Sequence, residues 1–381
     1  MQIRYVRVCT VLRAFVSGLF LSMAIVPWVV TAALAGTFAF TGSMATARFN
    51  HTATSISNTK VLVAGGSGTS STLASAEVYD VTTGLFTATA GPMGTARESH
   101  TATLLNNGKV LIAGGWNSFT TTVFNTAELY DPNTNSFTAT SGPMTTPRAF
   151  HTATLLSNGQ VLIAGGEDTG STLSNAELFD PNTGFFTSIT FAMMSAREFH
   201  TATLLNNGKV LLAGGWDGNS ILASAELYDS GTNSFSPTTG SMGTARDEHT
   251  ATLLDNGQVL IAGGSSPPLG NPVASAELYD PNTNSFSGTG PMATAREFHA
   301  ATHLPNGQVL VTGGFGSSGT LISAELYNPA TGLFSGSGGM VLARESHTST
   351  LIPNPRRPGW RVLIAGGFGT SIFSAAELFT P

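Results

Sequence analysis

Apolar and polar positions follow one another along this chain in a pattern that returns about every fifty residues. Each period has a short apolar run such as "VLIA" (110–113), preceded by "HTATLL" and a turn written "NNG", "SNG", "DNG" or "PNG". A glycine pair, a loop, "AELYDP" and a segment such as "SFTAT" come next. Such short runs suit strands rather than helices, and Asn-Gly between two apolar runs indicates a hairpin. Each period therefore predicts four short strands.

The glycine pairs mark seven copies of this unit, with 49 to 53 residues between successive pairs. They begin at Gly65, Gly114, Gly165, Gly214, Gly263, Gly313 and Gly366. Four short strands in a repeat of this length are typical of a propeller blade. The sequence therefore predicts an all-β, seven-bladed propeller with four strands per blade.

The seventh copy ends at "AELFTP" and lacks its fourth strand. A matching segment stands at the other end of the repeats: "TFAFTGSMATAR" (37–48) aligns with "SFSGTGPMATAR" (285–296) and places Phe38 at the position of Phe286. Because an unpaired sheet edge invites aggregation, closing the ring with this N-terminal strand would protect the last blade. We therefore expect one propeller spanning residues 36–381.

Aromatic residues recur in the third strand and, as phenylalanine, in the fourth. The third-strand residues are Tyr79, Tyr130, Phe179, Tyr228, Tyr279, Tyr327 and Phe379, and the fourth-strand residues are Phe86, Phe137, Phe186, Phe235, Phe286 and Phe334. With the glycine pair, this pattern resembles the kelch repeat over about residues 37–381, although kelch repeats usually carry tryptophan in the fourth strand. The shorter period and the Gly-His and Trp-Asp words of WD40 repeats are missing.

The first 35 residues differ from the repeats. Arg4, Arg7 and Arg13 precede an apolar run from Ala14 to Leu34 and the small-residue pattern "ALA" (33–35), which predicts an export signal cut before Gly36. An uncleaved membrane anchor is the alternative, and only then would the protein contact a membrane. Either reading delivers the propeller outside the cytoplasm, to the extracellular space, the periplasm or the cell surface, and we expect it to be monomeric.

Charge and cysteine content narrow the function classes. Losing the signal removes three positive charges from a net charge of −6 and leaves −9, which argues against nucleic acid as a partner. The only cysteine, Cys9, lies in the signal, so we expect no disulfide, no cysteine nucleophile and no cysteine-ligated metal. Resemblance to the propeller of galactose oxidase implies a copper site with a cysteine-crosslinked tyrosine, and that cofactor cannot form without a cysteine. We expect no metal and no cofactor.

Arginine, histidine and glutamate recur once per repeat near the glycine pair. We interpret them as structural, because one asymmetric substrate does not need seven copies of a catalytic set, and we expect each guanidinium to pair with a carboxylate. The functional alternative is that the repeated glutamate, histidine and arginine side chains act as acid, base and cation in a catalytic cleft. Common catalytic signatures are absent from the sequence. The predicted structural residues include Arg97, Arg148, Arg197, Glu128, Glu177, Glu226, Gly114, Gly115, Gly165, Gly166, Gly214 and Gly215.

The loops after the glycine pairs differ most among the copies, and a rigid ring with variable loops is a common binding scaffold. The candidate ligand-binding residues there are Trp116, Glu167, Asp168, Trp216, Asp217, Phe315 and Phe368. Aromatics beside acids suit a glycan or a peptide, so we expect a non-enzymatic binding propeller; packing over the blades is the simpler alternative for these aromatics. A mutarotase-like or lyase-like carbohydrate-active enzyme is the second function class, and a carboxyl with a strongly shifted pKa in a deep pocket would favour it. On the opposite face, "PNPRRPGWR" (353–361) replaces a tight turn and is either a solvated insertion or a basic site for an anionic partner.

Overall fold

The computed structural model of the protein describes residues 36–268, 270–354 and 359–381. The predicted export signal, residues 1–35, lies outside the described residues, as do Arg356 and Arg357 of the basic insertion. Within the described ranges, no helix is long and apolar enough to cross a membrane.

The described residues form 34 strands, numbered in chain order. The closing strand and blades 1 to 3 comprise β1 (Thr37–Phe40), β2 (Thr52–Ser57), β3 (Lys60–Ala64), β4 (Ala76–Asp80), β5 (Leu85–Ala88), β6 (Thr101–Leu104), β7 (Val110–Ala113), β8 (Trp116–Asn117), β9 (Thr122–Val123), β10 (Ala127–Asp131), β11 (Ser136–Ala139), β12 (Thr152–Leu155), β13 (Val161–Ala164), β14 (Ala176–Asp180) and β15 (Phe185–Ser188). Blades 4 to 7 comprise β16 (Thr201–Leu204), β17 (Val210–Ala213), β18 (Ala225–Asp229), β19 (Ser234–Pro237), β20 (Thr250–Leu253), β21 (Val259–Ala262), β22 (Ser265–Ser266), β23 (Asn271–Pro272), β24 (Ala276–Asp280), β25 (Ser285–Thr289), β26 (Ala300–His303), β27 (Val309–Thr312), β28 (Phe315–Gly316), β29 (Gly319–Thr320), β30 (Ser323–Asn328), β31 (Leu333–Gly339), β32 (Thr348–Pro353), β33 (Trp360–Ala365) and β34 (Ala376–Thr380).

Seven of the sheets have four strands each, which confirms the predicted blades. In blades 1 to 6 the four strands pair in chain order, as in β12-β13-β14-β15 of blade 3. Three further pairs, β8-β9, β22-β23 and β28-β29, are small hairpins in the loops after the glycine pairs of blades 2, 5 and 6. Three of the variable loops thus contain a short β-hairpin in addition to the strands of the blade.

The apolar core lies between neighbouring blades. Leu111 and Ala113 of blade 2 pack in one cluster with Val161, Ile163 and Phe179 of blade 3, and the same arrangement repeats around the ring. The second strands read as unbroken apolar runs because both faces of each blade are covered by a neighbour. Each blade therefore depends on the next for its core.

Ring closure follows the predicted path. Strand β1 pairs with β34 in the sheet that also contains β33 and β32, and Phe38 lies opposite Phe379 with ring centroids 5.0 Å apart. In blade 2 the equivalent pair is Tyr130 and Phe137, also at 5.0 Å. The N-terminal strand thus occupies the same place in blade 7 that a fourth strand occupies elsewhere, and the predicted closure is confirmed.

Candidate functional site

A buried ion pair stands in each blade, and we call it the interblade clamp. In blade 3, Arg148 Nη2 lies 3.0 Å from Glu177 Oε1, and Arg148 Nη1 donates to Gly165 O at 2.7 Å. Glu177 also accepts from the backbone N–H groups of Thr145 and Thr146, at 2.8 and 3.1 Å. These residues belong to the segment between blades 2 and 3, so the clamp fixes that segment to blade 3.

All seven blades repeat this geometry, with Nη2 to Oε1 distances of 2.6 to 3.1 Å. Every clamp arginine is fully buried. The pairs are Arg48–Glu77, Arg97–Glu128, Arg148–Glu177, Arg197–Glu226, Arg246–Glu277, Arg296–Glu325 and Arg344–Glu377. Because the arginine and two backbone donors already occupy each carboxylate, the clamp is suited to holding blades rather than to moving protons.

The glycine pair lets the next clamp approach. Gly114 and Gly115 have φ values of +62° and +90°, in the left-handed region that glycine enters without strain. Gly115 N donates to Arg148 O at 2.8 Å, and a Cβ on Gly114 would lie 2.4 Å from that same oxygen. A side chain there would push neighbouring blades apart.

The repeated histidines form a second ring of contacts between blades. In six of them Nε2 shares a hydrogen bond of 2.9 to 3.1 Å with a threonine Oγ1 in the first strand of the preceding blade. These pairs are His51–Thr348, His100–Thr52, His151–Thr101, His200–Thr152, His249–Thr201 and His299–Thr250. The histidines therefore link first strands around the central channel.

The seventh contact shows that the position of the hydroxyl is what matters. Blade 6 has Ala300 where the other first strands have threonine, and Thr312 where the other second strands have alanine. Ala300 and Thr312 are paired across β26 and β27, so the hydroxyl has moved to the partner strand. His347 Nε2 bonds to Thr312 Oγ1 at 2.9 Å.

Acid is expected to weaken the fold through these histidines. Burial, followed by the charges of Arg97 and Arg48, lowers the pKa of His100 from 6.5 to about 3. The unfolded chain then binds a proton below about pH 6.5 that the folded ring refuses, so this stability is present above that pH and is lost toward pH 3. Each such histidine adds about 1.4 kcal/mol per pH unit to the slope. Urea unfolding at several pH values between 6 and 4 gives the change in the free energy of unfolding per pH unit. We expect this change to be smaller in His100→Gln than in the parent by about 1.4 kcal/mol per pH unit, and an equal pH dependence of the two proteins would refute this account.

We call the surface with the loops after the glycine pairs the loop face. The second residue after each clamp arginine lines the mouth of the central channel there, in a cavity of about 370 Å³. All seven have φ between +50° and +54°. In six of them the backbone N–H donates to the carbonyl oxygen of the equivalent residue one blade earlier around the ring. The seven residues are Asn50, Ser99, Phe150, Phe199, Glu248, Phe298 and Ser346. Sequence reasoning missed them, although they vary between a constant arginine and a constant histidine.

Three aromatic residues pack together in one sector of the loop face. Trp116 packs on Phe150 with ring centroids 5.8 Å apart, and Phe150 packs on Phe199 at 4.4 Å. Trp116 is half-buried, whereas Phe315 and Phe368 are 38% and 39% exposed. The predicted aromatic candidates therefore differ in how much of each ring is exposed to a ligand.

Two of the predicted acidic candidates hold their own loops. Asp168 Oδ1 accepts from the N–H groups of Gly170 and Ser171, at 3.0 and 2.9 Å. Asp217 Oδ1 accepts in the same way from Asn219 and Ser220, at 2.8 and 2.7 Å. Such turns are a common use of aspartate. The third acidic candidate, Glu167, is hydrogen-bonded to Glu198, and burial is the main cause that raises its pKa.

A second sector of the loop face is acidic. Burial is the main cause that raises the pKa of Glu198 and Glu297 to about 7 and of Asp247 to about 6. Burial and then the charges of Asp247, Glu297 and Glu345 raise the pKa of Glu248 to about 9. Within the described ranges, no salt bridge is formed by these four carboxyls or by Glu345.

A pocket of about 540 Å³ includes two acids of this sector, Asp247 and Glu248, in its lining, and we call it the blade 4–5 pocket. Trp216 of the blade 4 loop forms part of its wall, Asp247 and Glu248 come from the segment before blade 5, and Ser265 and Pro267 come from the blade 5 loop. Glu198 and Trp216 are bridged by their backbones, as are Asp247 and Ser265. This pocket brings one predicted site residue, Trp216, together with two that the sequence did not single out.

Known proteins resemble the chain in two ways. The model of the KLHDC2/KLHL20/DRC7 Kelch-repeats domain matches residues 99–314. Among solved structures, a novel fungal alcohol oxidase of the AA5 family, in complex with copper, has a TM-score of 0.70 and 18% sequence identity, and the match covers 91% of this chain and 76% of that one. No curated protein matches significantly. At such low identity the alcohol oxidase supports the fold alone.

Copper does not fit the residues present. Among the described residues, no group of three or more histidine, cysteine, aspartate or glutamate side chains is placed to hold a metal ion. The ring histidines share their Nε2 atoms with threonine hydroxyls, and the only cysteine in the sequence is Cys9.

Proposed function

Because the chain belongs to the kelch-repeat family, we propose that it is an exported, monomeric and non-enzymatic binding propeller that holds a glycan or a peptide on its loop face. The blade 4–5 pocket is the observation that carries this proposal. It is large enough for a sugar ring or a side chain, and it combines the indole of Trp216 with carboxyls of Asp247 and Glu248. Concave sites with an apolar wall and a few polar groups are typical binding sites.

The repeated acids and histidines of the propeller also support a binding function, because they are already engaged in structural contacts. The clamp carboxylates are occupied, and the ring histidines are buried and held neutral by a lowered pKa. The loops that form the blade 4–5 pocket differ from those of the other blades, whereas the strands are nearly constant. Recognition by variable loops on a constant ring is a common arrangement for binding proteins.

A carbohydrate-active enzyme is the second candidate, and the pKa values of two neighbouring carboxyls favour it. Asp247 has a pKa of about 6 and Glu248 of about 9, so at pH 7 one is mostly ionised and the other protonated. Carboxyls separated in this way can act as base and acid. Recovering a bound glycan chemically unchanged after long incubation would exclude this function, and turnover that Glu248→Gln abolishes would establish it.

Replacing Trp216 with alanine should weaken binding of any ligand found on a glycan or peptide array. We expect a loss of about 2 kcal/mol, or roughly thirtyfold in Kd, since an aromatic wall residue often carries a large share of binding energy. Trp116→Ala is the matched control, because Trp116 holds the equivalent place in its own loop but packs on Phe150. Titration calorimetry measures both affinities, and thermal melting checks that each variant is folded. Equal affinity of the parent and Trp216→Ala would place the site elsewhere.

A further inference from the structure

The blade 4–5 pocket contains a carboxylate, that of Asp247, which is hydrogen-bonded to Ser265 but has one oxygen without a partner. Asp247 lines the pocket and is only 8% exposed, yet its Oδ1 atom is buried and has no hydrogen-bond partner. A buried charge without compensation is costly, and proteins normally pair it or leave it neutral. The geometry at Asp247 therefore points to a group that arrives from outside.

The part of the chain that the structure describes pairs no lysine or arginine with Asp247. Among the described residues, the arginine next to Asp247 in sequence, Arg246, is committed to Glu277 in the blade 5 clamp. Lys109 and Lys209 pair with Asp131 and Asp229 on the hairpin turns of their blades. The clamps thus use the arginine side chains that the repeat brings near this face, while the acids of this sector form no salt bridge within the described ranges.

The acids around Asp247 also repel one another. Glu248 faces the charges of Asp247, Glu297 and Glu345, so adding a positive charge at this place relieves repulsion as well as filling an empty hydrogen-bond position. A metal ion is a poor candidate, because no group of three suitable ligands is assembled among the described residues. An organic cation needs fewer ligands and gains from an aromatic wall such as Trp216.

We propose that the blade 4–5 pocket is a subsite for a protonated amine of the ligand, with Asp247 as its counter-ion and Trp216 as the aromatic wall. This inference rests on the proposed binding function and adds the chemical class of the ligand. The amine could belong to a lysine side chain or to an amino sugar, and the test separates these sources.

Two pairs of probes isolate the positive charge. The first pair is a tetralysine peptide and its fully Nε-acetylated form, and the second is a glucosamine tetramer and its fully N-acetylated form. We expect at least one amine-bearing probe to bind at least tenfold more tightly at pH 7 than its acetylated counterpart. The probe that shows this preference identifies the source of the amine.

Asp247→Asn should abolish the preference, and Glu248→Gln, as a second variant, should reduce it. Asp255→Asn is the control for net charge, because Asp255 has a side chain 74% exposed and lies on the Asn-Gly turn of blade 5. It should keep the tenfold preference, and melting curves confirm that all three variants fold. The inference is overturned if neither pair differs tenfold or if Asp247→Asn keeps the preference. Binding of a neutral array ligand that still depends on Trp216 would leave the proposed function intact.

Discussion

Deleting residues 37–47 is expected to destabilise the whole propeller by at least about 5 kcal/mol. The deletion removes β1, which leaves one edge of β34 unpaired and exposes Phe379. It also removes Ala45 and Thr46, whose N–H groups donate to Glu77 in the blade 1 clamp. Losing the packing of a large aromatic costs about 2 to 3 kcal/mol, and disturbing a buried ion pair costs about 3 to 5 kcal/mol.

Thermal melting and size-exclusion chromatography would measure this loss. The deleted protein should melt well below the parent and form aggregates, because an open strand edge pairs with other chains. A protein that begins at Gly36 is the control and should match the parent. A deleted protein with an unchanged melting temperature that stays monomeric would show that β1 does not close the ring.

Glu177→Ala is expected to lower the free energy of unfolding by about 3 to 5 kcal/mol, the usual result of leaving one member of a buried ion pair alone. Arg148 is fully buried and would lose its charged partner, and the N–H groups of Thr145 and Thr146 would lose their acceptor. Urea unfolding at pH 7 gives the value directly.

The exposed acid Asp255 provides the comparison, because Asp255→Ala removes one negative charge without breaking a clamp and should change stability by less than about 0.5 kcal/mol. Ligand affinity of Glu177→Ala, measured well below its melting temperature, should equal that of the parent. Full stability with lost binding would instead assign Glu177 to the ligand site.

The fold could be predicted from the sequence because the same local signals occur seven times. One glycine pair or one Asn-Gly turn is weak evidence, but seven in phase leave few alternatives to a ring of hairpins. Closure was predictable for a related reason: Phe38 aligns with Phe286, and this alignment gives the pairing with Phe379 that the structure has. A short N-terminal strand without a repeated context would have carried no such information.

The candidate site was less predictable, because it depends on neighbours that are far apart in sequence. Trp116 and Trp216 occupy equivalent positions, yet one packs on Phe150 and only the other lines the blade 4–5 pocket. Asp217 stands next to Trp216 in the sequence, yet its Oδ1 accepts from two N–H groups of its own turn and it does not line that pocket. The acids that line the pocket, Asp247 and Glu248, stand between a constant arginine and a constant histidine, and only those constant residues entered the sequence-based prediction.

The pairing of Thr37 with Thr380 places the two ends of the propeller side by side in one sheet. Covalently joining them would make a closed circle in which no blade comes first, and the chain could then be cut in another polar hairpin without changing any strand pairing. The order of blades along such a permuted chain would depend on where the circle is cut, whereas their order around the axis would stay the same. Circular permutation therefore separates the two: it moves the ends of the polypeptide and leaves the neighbours of every pocket in place.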